Sequence, residues 1–297
     1  MSHDDRPSEP PSRVHLFTEA SFGLDGGAMF GIIPRTLWSR TNPPDDSNRI
    51  DMTARCMLLE WDSGERALVD VGIGERWSDK ERDIYAIRDQ DVGLRGALAA
   101  RSVDPASIGH VILTHLHFDH VGGLLDAHGA PNFPGATHWV QRRNWSWAHG
   151  PSARDAGSYR LDDFSFFEQD GAPALELVDG PAELMPGVEV LPLFGHTPGM
   201  QLVRVATPNY TVVFMADLIP TTSHLRDPYV MGYDLDPVTT VREKRALLHE
   251  AARHGWLLAF EHDPVCPLAR IEFDARGRPR AIPVALDART NLPKDLT

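Results

Sequence analysis

Five short apolar runs in this chain each stop on an acidic or imidazole side chain, and no other feature restricts the fold as much. They are "RALVDVG" at Asp70, "HVILTHLHFDH" with His115, His117, Asp119 and His120, "VEVLPLFGH" at His196, "YTVVFMAD" at Asp217 and "WLLAFEHD" at His262. Runs of this length, rich in β-branched and aliphatic residues and bounded by Gly, Pro or Asp, read as strands. Polar groups just beyond the C-terminal ends of strands are where α/β architectures build sites. The chain is therefore expected to be α/β, with one site assembled from several strand ends.

Helices are fewer. In "DPVTTVREKRALLHEAARHG", Asp236 is placed to cap and Pro237 to open a helix. Val241, Leu247, Leu248 and Ala251 form its apolar stripe, and Gly255 ends it. "DVGLRGALAARS" (91–102) is a weaker helix, interrupted by two glycines, and 41–48 and 128–135 read as loops. No linker or repeat divides the chain, so residues 14–297 read as one domain behind a disordered polar tail over 1–13. That tail lacks a basic stretch followed by an apolar one, and no 18-residue apolar run exists, so a cytoplasmic protein without a membrane partner is expected. A net charge of −13 repels polyanions and argues against nucleic acid as a partner. Cys56 and Cys266, far apart and outside any CxxC pair, are expected to be buried reduced thiols.

The segment "THLHFDHVGG" raises the question of one metal ion or two. Chance would place HxHxDH roughly once in several hundred chains of this composition. Imidazole and carboxylate suit a borderline divalent ion such as zinc, with iron, cobalt or manganese able to use similar ligands. On an extended segment His115 and His117 point the same way, while Asp119 and His120 turn elsewhere. That geometry supplies two ions, each needing further ligands from distant loops. Gly122 and Gly123 then serve either close backbone approach to the metals or a permissive turn. His110, His138, His149, His249 and His254 have no motif around them and are left out.

The order HxHxDH, a later His in "GHTPG", then Asp217, then His262 resembles the metallo-β-lactamase superfamily of binuclear hydrolases, over roughly residues 65 to 265. The resemblance implies a four-layer αββα sandwich with two divalent ions, most simply zinc. It also implies that His115, His117 and His196 hold one ion, Asp119, His120 and His262 the other, with Asp217 bridging. Asp70 would orient a ligand from behind. A hydroxide shared by two ions would attack an ester-type bond, with Asp119 or Asp217 accepting the proton.

Within the superfamily, His117 stands where flavin-linked diiron reductases carry Glu, and Asp217 is absent from the β-lactamases themselves. Nuclease members fit the acidic charge poorly. "HLHFDHVGG" and "GHTPGMQ" are similar to the N-acyl homoserine lactonases and to the methyl-parathion-hydrolase-like group. A small-molecule lactone is thus the expected substrate, with phosphotriesters or aryl esters as the alternative and thioesters behind them. One departure stands out: where such lactonases carry a Tyr three residues after the bridging Asp, this chain has Pro220. Tyr229 or Tyr233 is expected to substitute. "DGGAMFGIIPRTLWSR" (25–40) is apolar but broken by Gly and Pro, so it reads as a hairpin or loop for the core, a homodimer contact or a pocket wall. Phe30 and Trp147, with Tyr229, are the residues expected near the substrate.

Overall fold

Most of the apolar runs are strands with both faces covered, which is why they do not alternate; Val188–Leu193, with Glu189 half-buried, is the exception. In Arg66–Val69, Leu68 and Val69 point to opposite sides of their sheet, and both are fully buried. The computed structural model describes residues 7–88 and 93–285. The first sheet is β1 (Arg13–Asp25), β2 (Arg49–Glu60), β3 (Arg66–Val69), β4 (His110–Ile112), β5 (Thr137–Gln141) and β6 (Leu175–Val178), in that order. Its first three strands are antiparallel and β3 to β6 are parallel. The second sheet runs in reverse chain order from β13 (Pro279–Pro283) through β12 (Leu268–Phe273), β11 (Leu257–Ala259), β10 (Thr211–Phe214), β9 (Met200–Ala206) and β8 (Val188–Leu193) to β7 (Ala182–Met185).

The side-chain period of two sorts each strand between two cores. Met57, Val69 and Ile112 from the first sheet meet Val190, Val203, Val212 and Phe214 from the second. Their neighbours Leu58, Leu68 and Val111 face outward onto Leu94 and Leu98 of the helix Gly93–Ala99. Leu202, Val213 and Leu258 face outward onto Leu248 and Ala251 of the helix Pro237–His254. The layers are helix, sheet, sheet, helix: the αββα sandwich.

The long helix starts and stops as its sequence dictates. Asp236 accepts from the Thr239 amide at 3.0 Å, and Gly255 ends the helix at φ 67°. The weaker helix is Gly93–Ala99 among the described residues and ends before 102; residues 91 and 92 lie outside the described residues.

Two expectations need correction. The tail over 1–13 is not free along its whole length. Residues 1–6 lie outside the described residues, but the Glu9 carbonyl accepts from the Trp61 indole at 2.8 Å and the Ser12 amide donates to Glu60 at 2.9 Å. The segment 25–40 is not a hairpin but two short helices, Gly26–Phe30 and Arg35–Trp38. Asp25 caps the first by accepting from the Ala28 amide at 2.8 Å. Gly26 is needed because a Cβ there would lie 2.3 Å from the Trp38 ring.

Both cysteines are buried free thiols. Among the described residues no helix is long and apolar enough to cross a membrane.

His138 on β5 makes stability depend on pH. Burial pushes its pKa down to about 4, against the ordinary 6.5. The unfolded chain therefore binds a proton more readily, and stability falls as pH drops from 6.5 towards 4. The group's share of the loss at pH 5 is about 2 kcal/mol relative to pH 8. Urea titrations at both pH values will show this difference shrinking by that amount in His138→Gln; an unchanged difference would refute the assignment.

Candidate metal centre

Within the second sheet β8, β10 and β11 run the same way, as β3 and β4 do in the first. Their C-terminal ends meet at one edge of the sandwich. Two residues there, Asp70 at φ 51° and Ala216 at φ 41°, adopt a left-handed backbone that is costly for side chains with a Cβ. The strain turns the chain at once from strand to site. Asp70 pins the neighbouring loop by accepting from the Thr114 amide at 2.7 Å and the Thr114 hydroxyl at 2.6 Å.

Two sets of donor atoms result. His115, His117, His196 and Asp217 form one, and Asp119, His120 and His262 the other, each with its donor atoms within 4.8 Å of one another. In the first, His117 Nδ1 is 3.0 Å from His115 Nε2 and 3.2 Å from His196 Nε2. Asp217 touches both sets, with Oδ2 at 3.0 Å from His196 Nε2 and Oδ1 at 2.9 Å from His262 Nε2. The Asp119 oxygens lie 3.8 Å from His120 Nε2 and from His262 Nε2.

These residues fit divalent ions. The buried atoms His262 Nε2 and Asp217 Oδ1, 2.9 Å apart but badly angled, make no hydrogen bond, and neither does His120 Nε2, whose nearest carboxylate oxygen is 3.7 Å away. Unsatisfied buried groups of this kind are rare and call for an explanation; converging lone pairs supply it. Burial and the neighbouring imidazoles hold His115 and His117 well below the usual histidine range, in the neutral form a ligand needs. Burial also opposes charge on His196 and His262, but Asp217 overcomes it and holds both at about 9.

The rear nitrogens are tied down, which fixes tautomer and ring orientation. His196 Nδ1 meets Asp234 at 2.9 Å and His262 Nδ1 meets the Thr53 carbonyl at 2.8 Å. His120 Nδ1 lies between Asp70 at 2.9 Å and Glu261 at 3.1 Å. Asp70 thus stands behind His120. Thr53, Asp234 and Glu261 were missed. Glu261 had a signal, since it directly precedes His262, but Asp234 lies in an irregular loop without any pattern.

Gly122 and Gly123 are required by backbone packing. A Cβ on Gly122 would lie 2.0 Å from the Ile73 carbonyl oxygen, and one on Gly123 2.1 Å from that of Val71. The two loops that carry Asp70 and His120 close on each other there, joined by the Val71 amide donating to the His120 carbonyl at 2.9 Å.

A cleft of about 200 Å³ opens beside the donor sets, lined in part by Leu24, Tyr85, Phe118, Arg154, Ser158 and Tyr233 together with Asp119 and Asp217. The residues expected to line it sit elsewhere. Phe30 is fully buried, stacked between Trp38 at 5.4 Å and His224 at 4.5 Å. Tyr229 packs edge-on against Phe30 at 6.2 Å, leaving Tyr233 as the phenol of that loop on the cleft wall. The Trp147 indole donates to Asp155 at 2.7 Å and braces a turn. All three were chosen for apolar or aromatic character, which serves a packed interior as well as a pocket.

Lys244, buried on the long helix, holds the loop that carries Tyr233 and Asp234. Its ammonium donates to the carbonyls of His224 at 2.9 Å, Arg226 at 3.0 Å and Tyr229 at 2.8 Å. Burial lowers its pKa to about 8, so it stays mostly charged at neutral pH. Lys244→Met strands three carbonyls and is expected to cost about 2–3 kcal/mol. Chemical denaturation will measure this, and an unchanged midpoint would remove the loop-anchoring role.

An αββα sandwich with two adjoining His/Asp donor sets at one strand edge defines a metal-dependent hydrolase. The chain belongs to the metallo-beta-lactamase superfamily, whose family model matches residues 51–262. It is 30% identical over 199 residues to the N-acyl homoserine lactonase AttM of Rhizobium radiobacter, covering 61% of this chain and 68% of that protein. A probable metal-dependent hydrolase from Staphylococcus aureus has a similar structure, with a TM-score of 0.79 at 26% identity, covering 88% of this chain and 93% of the other. AidC, described as a dizinc quorum-quenching lactonase, shares the fold at a TM-score of 0.73 and 19% identity, over 93% of this chain and 96% of its own.

Proposed function

We propose that this enzyme is a binuclear lactonase that opens N-acyl homoserine lactones or related lactones. The observation that carries the reading is Asp217, whose two oxygens reach toward separate donor sets at the side of a cleft. The 30% identity to a lactonase supports the substrate class. Imidazole and carboxylate donors suit zinc, with iron, cobalt or manganese as substitutes. When bound, two such ions supply an acidified water and an electrophile for the ester carbonyl.

The protein's own groups do the rest. Asp119, on the cleft wall, takes the proton from the attacking water and returns it to the departing ring oxygen. Tyr233 keeps its proton, because burial and the nearby Asp119 carboxylate raise its pKa. It donates to the substrate's oxygen and so replaces the Tyr for which this chain has Pro220. The Pro220 carbonyl is occupied by the His262 amide at 3.1 Å. Leu24 and Phe118 offer apolar wall to an acyl chain.

The test is hydrolysis of a long-chain N-acyl homoserine lactone, followed by proton release, with metal-loaded and chelator-stripped protein. The expected result is metal-dependent turnover above ~10⁴ M⁻¹s⁻¹. A fully metallated protein without turnover would sink the lactone. The absence of a phenol at Pro220 then favours phosphotriesters and aryl esters, whose reaction centre asks for a different clamp.

A further inference from the structure

Arg154 is the only arginine or lysine among the described residues that line the cleft. It sits on a turn braced from several sides. Asp155, buried beneath it, accepts from the Trp147 indole at 2.7 Å and the Ser152 hydroxyl at 2.6 Å. Tyr159, farther along, joins its hydroxyl to Thr197 at 2.7 Å, next to the ligand His196. Arg160 donates to the Arg76 carbonyl at 2.6 Å. The backbone under Arg154 is therefore fixed, while the side chain itself is exposed.

Its guanidinium donates to the Gly232 carbonyl, just before Tyr233 and across the cleft mouth. That bond uses one of five N–H groups, and no carboxylate of the described residues pairs with the side chain. Such isolation is unexpected where Asp and Glu number 42 against 29 Lys and Arg. The carboxylates of the cleft are not available to it: Asp217 is turned to His196 and His262, and Asp119 toward His120 and His262. What remains is a planar cation, held by a braced turn and a carbonyl, facing the space a substrate enters. A guanidinium is suited to bind a carboxylate through two parallel hydrogen bonds.

We propose that Arg154 determines specificity by binding a carboxylate that the substrate carries away from the bond being cleaved. The preferred lactones are then acidic ones. The ring in this statement rests on the lactonase reading; the charge does not. An arginine that merely ties two loops together would show no preference between charged and neutral ligands.

Two matched pairs test this on the metal-loaded protein. γ-Valerolactone and the lactone carrying a carboxylate in place of its methyl group serve as substrates. The corresponding lactams, pyroglutamate and its methyl counterpart, resist hydrolysis and report binding by calorimetry. Wild type is expected to favour the carboxylate of each pair by about tenfold or more, through KM and not kcat. The advantage should weaken with added salt. Arg154→Gln is expected to lose the preference, and Arg154→Lys to restore part of it. Tighter binding of pyroglutamate that Arg154→Gln abolishes, with neither these lactones nor the long-chain N-acyl homoserine lactone hydrolysed, would sink the lactonase reading and sustain the role of Arg154. A wild type without preference for the carboxylate lactam, or an Arg154→Gln that keeps one, would overturn the proposal.

Discussion

Asp217→Asn is expected to lower metal content and turnover together, with turnover falling by at least about 10³-fold, equivalent to ~4 kcal/mol of transition-state stabilisation. The amide keeps one oxygen and replaces the other with an NH₂ group, which has no lone pair to offer a cation. Because Asp217 Oδ2 faces His196 and Oδ1 faces His262, one set of donors loses its shared carboxylate whichever way the amide turns. Emission spectrometry of the purified variant, beside steady-state kinetics, checks both halves. Two ions retained at full activity would refute the bridging role. His128→Gln, on an exposed loop, is the matching control. His110 is a poor one, because it is buried and accepts from the Trp139 indole at 3.3 Å.

Gly122→Ala is expected to destabilise the fold by more than about 3 kcal/mol, or to prevent it, although alanine is normally the better helix residue. The added methyl would lie 2.0 Å from the Ile73 carbonyl oxygen. Backbone holds both sides: the Val71 amide bonds to His120, and the Gly123 amide to the Gly72 carbonyl at 3.3 Å. Relief requires the loops carrying Asp70 and His120 to separate, which also moves the His120 donor atom. Thermal unfolding measures the loss, with Gly129→Ala as the comparison. A Cβ at Gly129 meets nothing within 4 Å, so the strain there comes only from its φ of 81°. A Gly122→Ala protein as stable as wild type would show that the loops separate freely.

Much of the metal centre was legible in the sequence because strand ends advertise themselves. A strand buried on both faces must be apolar along its whole length, so the first polar residue after it is conspicuous. Asp70 and Asp217 stand out in this way, and His115 and His262 follow one residue behind Thr114 and Glu261. Asp236, Pro237 and Gly255 likewise bound the long helix through rules that act within a few residues. The two short helices at 26–38 were hidden because their stability comes from packing. The stack of Phe30 on Trp38 and His224 lies beyond any local pattern.

By itself, then, the sequence determined the five strands that lead to the site, the polar residues beyond them and that those residues suit divalent ions. Hydrophobic periodicity and capping are short-range and written residue by residue. Only the tertiary structure decided that Asp234 and Glu261 stand behind the donor histidines and that Lys244 anchors the loop bearing Tyr233. It likewise sent Phe30 and Trp147 into supporting positions and left Arg154 on the cleft wall. The physical reason is that a side chain's role depends on what the rest of the chain brings against it. An aromatic ring or a charged group looks the same in sequence whether it faces a substrate, a core or a carbonyl.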